Sequence, residues 1–145
     1  TALKLLSRAA AGAFVGGRLA KKVADRIACD VWVDGERWPT SSYLTIGAAT
    51  VPQIGLGFTP FYRCDAAVDR FQLVGFTCSK VSFVRALWPI FRGQPTDPDY
   101  TRETLTSTAT IKQLNGPTLY TIDGEVLEAE ELVIGLGPRV KVVWA

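Results

Sequence analysis

Two segments carry paired carboxylates at a spacing that could do chemistry: Asp123-Gly124-Glu125 and the near copy Asp34-Gly35-Glu36. Residues two apart on an extended strand share a face, so Asp123 and Glu125 would stand side by side. If the chain turns at Asp123-Gly124 instead, both carboxylates gather at a hairpin tip. Asp-Gly between β-rich runs is also the favoured type I′ turn, because both central residues need positive φ. One of the two copies must therefore be an ordinary hairpin, and the tripeptide by itself does not choose between them. The chain has no histidine, which excludes a serine or cysteine nucleophile activated by a histidine of this chain. Acid–base work falls to Asp, Glu, Lys, Tyr or Cys. Cys29, Cys64 and Cys78 are odd in number, widely spaced and form no C-x-x-C pair. Together with the missing histidines they argue against zinc and read as buried, reduced thiols.

The elements that would position these carboxylates change character along the chain. Residues 1–28 read as helical, with Leu3, Leu6, Ala10, Ala13 and Phe14 at helical spacing, a break at Gly16-Gly17 and a second short helix over 18–27. Residues 30–33 and 36–38 then read as two strands around Asp34-Gly35, and 42–49 and 70–77 as further strands. Residues 80–91 are the one clear later helix. Val84, Leu87, Trp88 and Phe91 form its stripe, and Pro89 kinks or ends it. Four strands are predicted after it, at 104–113, 118–122, 125–127 and a closing stretch over 132–144, either continuous or divided at Gly135-Leu136-Gly137-Pro138. Short strands, frequent turns and few helices predict a mainly β fold, an antiparallel β-sandwich with peripheral helices.

A length of 145 residues suits one domain, and a 48% apolar content supplies its core. The formal net charge of +2 is too small to point to nucleic acid. Lys4, Arg8, Arg18, Lys21, Lys22 and Arg26 crowd the beginning, while Asp123, Glu125, Glu128, Glu130 and Glu131 crowd one late stretch. No apolar run reaches bilayer-spanning length. Residues 9–17 are too rich in Ala and Gly for a secretory signal.

Order and flanks distinguish the two Asp-Gly pairs. Arg92-Gly93, a Pro-containing loop, Leu119-Tyr120-Thr121-Ile122-Asp123-Gly124-Glu125, and then Val133-Ile134-Gly135-Leu136-Gly137-Pro138-Arg139-Val140 follow one another. This succession resembles the end of bacterial diacylglycerol-kinase-like proteins. Upstream, Ile54-Gly55-Leu56-Gly57-Phe58-Thr59-Pro60-Phe61-Tyr62 is similar to that family's glycine-containing loop. The resemblance implies the fold of the carboxy-terminal β-sandwich domain of diacylglycerol, sphingosine and NAD kinase-like enzymes. Residues 1–145 would then be a fragment whose amino-terminal nucleotide-binding domain is absent, and inactive in isolation. NAD kinase fits less well, because few polar clusters suit a dinucleotide.

The implied reaction moves the ATP γ-phosphoryl group to the hydroxyl of diacylglycerol or a related lipid. In it Asp123 is the general base, and Glu125 both acts in catalysis and positions magnesium and ATP. Gly124 leaves room for close approach. The implied partners are the lipid substrate, the missing domain and, for a homodimer, a second copy. The implied location is cytoplasmic, peripheral to the inner membrane face, and no nucleic acid is involved. Two departures stand out. Asp69-Arg70 occupies the place where the family has Asp-Gly and where, in some members, acidic residues hold a structural magnesium. Asp65 and Asp69 could serve there, but Arg70 beside them argues against a retained site, and no metal ligand is assigned. The Gly-Gly-Asp-Gly-Thr-type phosphate loop is missing. The residues 80–91 admit an interfacial helix (Phe83, Arg85, Trp88, Phe91, Arg92), but a helix covering one end of the sandwich with its aromatics buried is the preferred expectation. The competing function is a noncatalytic β-sandwich binding a partner or an apolar ligand, with both Asp-Gly pairs serving only as turns.

Overall fold

The computed structural model describes residues 26–54 and 57–138. The expected helices within 1–25, and the end of the closing stretch from 139 onward, lie outside the described residues. The strands are β1 (Ile27–Val33), β2 (Glu36–Arg37), β3 (Ser42–Tyr43), β4 (Thr45–Ala49), β5 (Phe71–Phe76), β6 (Thr101–Thr106), β7 (Thr108–Gln113), β8 (Thr118–Ile122), β9 (Glu125–Ala129) and β10 (Glu131–Gly135). A 3-10 turn (Cys64–Ala66) precedes β5, and helix α1 (Lys80–Phe91) follows it. The chain is mainly β with antiparallel sheets, as its β-branched and aromatic content implies.

β1 pairs with β7 along one edge and with β2 and β3 along the other. β3 runs through Leu44 into β4, which pairs with β5. β5 pairs with β6, and β6 runs through Ser107 into β7. The pairing thus returns to β1. Two short crossings, at Leu44 and Ser107, carry the chain between a five-stranded and a three-stranded sheet. Residues 104–113, expected as one strand, are therefore two. The Thr106 hydroxyl oxygen accepts the Thr108 N–H at 3.1 Å. This local bond takes the place of a ladder bond and lets the strand change sheets.

Strand β5 is buried along its whole length. Phe71 and Leu73 share one core with Cys29, Val31 and Val33 of β1, Tyr43 of β3, and Ala109 and Ile111 of β7. The two sheets therefore bury side chains against each other. Val74 and Phe76, on the other face of β5, pack with Phe61, Cys64 and the Ala86 and Ile90 of α1. Each fully buried side chain of the size of Leu73 contributes roughly 1.5–3 kcal/mol through removal from water. Gln72 is the polar exception. Its amide accepts the Arg63 N–H at 2.7 Å and donates to Glu103 at 3.2 Å, so its burial leaves nothing unsatisfied.

Ser79 caps α1 by accepting the Ser82 N–H at 3.2 Å. Pro89 sits in the last turn, and the helix stops two residues later. There Gly93 and Gln94 donate to the Ile90 and Pro89 carbonyls, the pattern of a Schellman close. The buried stripe is not the expected one. Phe83 packs edge-on against Phe76, and Ala86 and Ile90 are buried, whereas Val84 and Trp88 face out and Phe91 stands at the rim. The helix is apolar on two sides, so periodicity alone could not select the face. Ile27, assigned to the amino-terminal helices, begins β1 instead. All three cysteines are free and buried. Among the described residues no helix is long and apolar enough to cross a membrane.

Gly75 sits close under two rings, where an added Cβ would meet the Tyr43 ring at 2.9 Å and Trp38 at 3.0 Å. Gly75→Ala should therefore cost about 1–3 kcal/mol by overpacking, read as a lower urea midpoint with unchanged slope. Burial pushes the Tyr43 hydroxyl up to about 12 and the Cys29 thiol up to about 11. Both groups are held neutral in the folded state, so stability is full below their unfolded values and falls as pH rises toward 11–12. Tyr43→Phe should flatten this alkaline loss in pH-dependent urea titrations.

Candidate functional site

Both Asp-Gly pairs form the same turn. Asp34 and Gly35 have φ of 48° and 88°, and Asp123 and Gly124 have 50° and 87°. The pairs Val33–Glu36 and Ile122–Glu125 close them. Two consecutive positive φ values suit Asp and Gly, which is why these residues recur at two-residue hairpins. The backbone thus turns at Asp123-Gly124 and does not continue extended, which puts Asp123 and Glu125 at a hairpin tip.

Their surroundings differ. Asp34 accepts from the buried Thr106 hydroxyl at 2.7 Å and from Thr108 Oγ1 at 3.5 Å, and its N–H donates to the Thr108 carbonyl at 3.3 Å. Arg70 lies 3.8 Å from its second oxygen and also donates to the Leu105 carbonyl at 3.2 Å. Asp34 therefore fastens the β1–β2 turn to the Ser107 crossing. Asp123 and Glu125 are exposed and make no side-chain hydrogen bond or ion pair among the described residues.

Register explains where that tip stands. β7 and β10 pair from Thr108–Gly135 to Lys112–Glu131, and the Gln113 N–H still reaches the Glu130 carbonyl at 2.8 Å. Beyond this point residues 114–117 leave the β7–β10 ladder, with the Leu114 N–H donating to the Ala28 carbonyl at 2.9 Å, and β8 pairs only with β9. The β8–β9 hairpin forms its own two-stranded sheet and contains no buried residue. Five residues of strand span roughly 16 Å. Tyr120, Ile122, Glu125 and Leu127 share one face, and Leu119, Thr121, Val126 and Glu128 the other. Ile122 and Val126 are more than half exposed. Gly124 has open space where a side chain would be, so any close approach there must come from outside the described residues. Glu128, Glu130 and Glu131 are exposed.

Asp65 lies in the 3-10 turn and Asp69 in the turn before β5, both exposed. Arg70 extends toward Asp34. Among the described residues no three carboxylates or thiols converge as a metal cluster would. The cysteines are poorly disposed to attack, since burial raises all three thiols.

One polar cluster had no sequence signal. Glu103 of β6 accepts from the Tyr62 hydroxyl and the Gln72 amide, with Arg63 at 3.5 Å. Burial first, and then Glu103 beside it, push the Tyr62 hydroxyl up to about 12. Its members lie far apart in sequence, so only strand pairing brings them together. The cluster consumes its own donors and acceptors and anchors the loop before β5. No protein-family model and no curated protein significantly matches this sequence.

The contrast between the two turns predicts unequal stability effects. Asp34→Ala and Asp123→Ala carry the same positive-φ penalty, but only the first removes bonds to Thr106 and Thr108. Asp34→Ala should lower unfolding free energy by about 1 kcal/mol more than Asp123→Ala. Urea denaturation of both variants measures the difference, and equal losses would remove the structural distinction.

Proposed function

We propose that this chain is the carboxy-terminal, lipid-side part of an ATP-dependent lipid kinase of the diacylglycerol-kinase-like class, with its facing sheets forming a β-sandwich. The reaction moves a phosphoryl group to the hydroxyl of diacylglycerol or a related lipid. The observation that carries the reading is the unequal use of two identical turns. One aspartate is consumed by the fold, and the other is left at the end of a projecting hairpin beside a second carboxylate.

In this reading Asp123 accepts the proton of the lipid hydroxyl as its oxygen bonds to phosphorus and the nucleoside diphosphate leaves. Glu125, one residue beyond the turn, orients the magnesium-bound polyphosphate. Phosphoryl transfer depends mainly on positioning and charge neutralisation, so two carboxylates at a fixed tip suit it. The fit to magnesium ATP is partial. The carboxylates have the right chemistry for the metal, but the sequence contains no glycine-rich phosphate loop. Bound magnesium would neutralise phosphate charge. A separate nucleotide-binding domain would supply the phosphate cradle and cover the exposed arm, at the cytoplasmic face of the membrane.

The test uses the intact protein with radiolabelled ATP and diacylglycerol. Asp123→Asn should lower turnover about 100-fold or more, within the range of general-base removal. Asp34→Asn, which keeps the turn and an acceptor oxygen for Thr106, should leave turnover nearly unchanged. Equal and mild effects at both positions would reduce Asp123 to a turn residue and favour a noncatalytic module.

A further inference from the structure

Helix α1 has a second apolar side that the core does not use. Val81 is 67% exposed, Val84 60% and Trp88 52%, with Phe91 at the rim. At 3.6 residues per turn these four fall within about 80° of one another, opposite the buried Ala86 and Ile90. Lys80 borders the stripe on one side, and Arg85 and Arg92 border it on the other. The helix contains no carboxylate. The Arg92 guanidinium lies 5.6 Å over the Trp88 ring, so charge and indole stand at the same level. The surface continues past the helix end. Phe91 meets Phe58 edge-on at 5.7 Å, and the Phe58 carbonyl accepts the N–H of Ile54, itself 65% exposed.

A single exposed valine needs no explanation, but four apolar residues in register on a packed helix do. We infer that this outward face of α1 docks on an anionic lipid bilayer. Val81, Val84 and Trp88 enter the boundary between headgroups and acyl chains, while Lys80, Arg85 and Arg92 meet lipid phosphates. Two features favour a bilayer as the occupant. The charged residues that border the stripe, Lys80, Arg85 and Arg92, are all cationic, which complements a continuous negative surface. The centre of the stripe is a tryptophan, whose apolar ring and polar N–H suit the interface. The inference stands on this face alone and does not rest on the kinase reading.

The test is co-sedimentation of the intact protein with vesicles of phosphatidylcholine alone or mixed equally with phosphatidylglycerol. The unaltered protein should bind the mixed vesicles and release them as salt rises. The double variant Val84→Ser/Trp88→Ser should reduce binding about tenfold. Arg85→Glu, which leaves the apolar stripe intact, should reduce it about fivefold or more on the anionic vesicles. Val133→Ser, at a valine of β10 more exposed than Val84, should have no effect. Thermal melts establish that each variant is folded, and Arg85→Glu decides the matter if the double variant is not. No binding by the unaltered protein would overturn the inference. So would undiminished binding by the helix variants, which would assign the contact elsewhere, including to the basic residues of 1–25.

Discussion

The structure depends on one strand that has no free side. β5 is hydrogen-bonded along both edges, to β4 and β6, and covered on both faces. A strand so placed can carry a polar side chain only if that group is fully paired. Gln72 meets this condition through Arg63 and Glu103. The alternation of Phe71, Leu73 and Gly75 with Gln72, Val74 and Phe76 assigns each face a different task. The first faces the β1–β7 sheet, and the second faces α1. Gly75 fits the same logic, because the Tyr43 and Trp38 rings occupy the volume its side chain would fill.

From that strand the chain must reach a second sheet twice, at Leu44 and at Ser107. A crossing interrupts a ladder and leaves backbone groups in need of partners. At Ser107 the Thr106 hydroxyl accepts the Thr108 N–H, the Asp34 N–H reaches the Thr108 carbonyl, and the Asp34 carboxylate holds that hydroxyl from the neighbouring turn. The turn residue is thus drawn into the fold because the crossing lies beside it. Asp123 occupies an identical turn with no crossing nearby. Backbone geometry made the two aspartates alike, and topology made them different.

This difference also marks what the sequence could reveal. The Asp-Gly hairpins, the bounds of α1 and the buried state of the cysteines follow from local rules of φ, spacing and polarity, and they were legible. The division of 104–113 was not, since Thr-rich residues continue smoothly through Ser107 and only the sheet change separates them. The face of α1 was not legible either, because Phe83, Ala86 and Ile90 compete with Val81, Val84 and Trp88 at equal hydrophobicity. The partners of Asp34 and of Glu103 come from strands distant in sequence, so no local pattern contains them. What made Asp123 a candidate in the sequence was the order of its neighbours. In the structure Asp123 is exposed and makes no side-chain hydrogen bond or ion pair among the described residues, a separate observation.

The β8–β9 arm sharpens that point on energetic grounds. An isolated two-stranded hairpin is marginal in water at best, and this one buries none of its residues. It leaves Leu119, Ile122, Val126 and Leu127 exposed, while its cross-strand pairs contribute only about 0.2–1 kcal/mol each. Continuity with the β7–β10 ladder holds its base, but nothing among the described residues holds its tip. A surface that covers one apolar face would stabilise the arm and at the same time fix the Asp123 and Glu125 carboxylates in space. Order at the tip and chemistry at the tip would then come from the same contact.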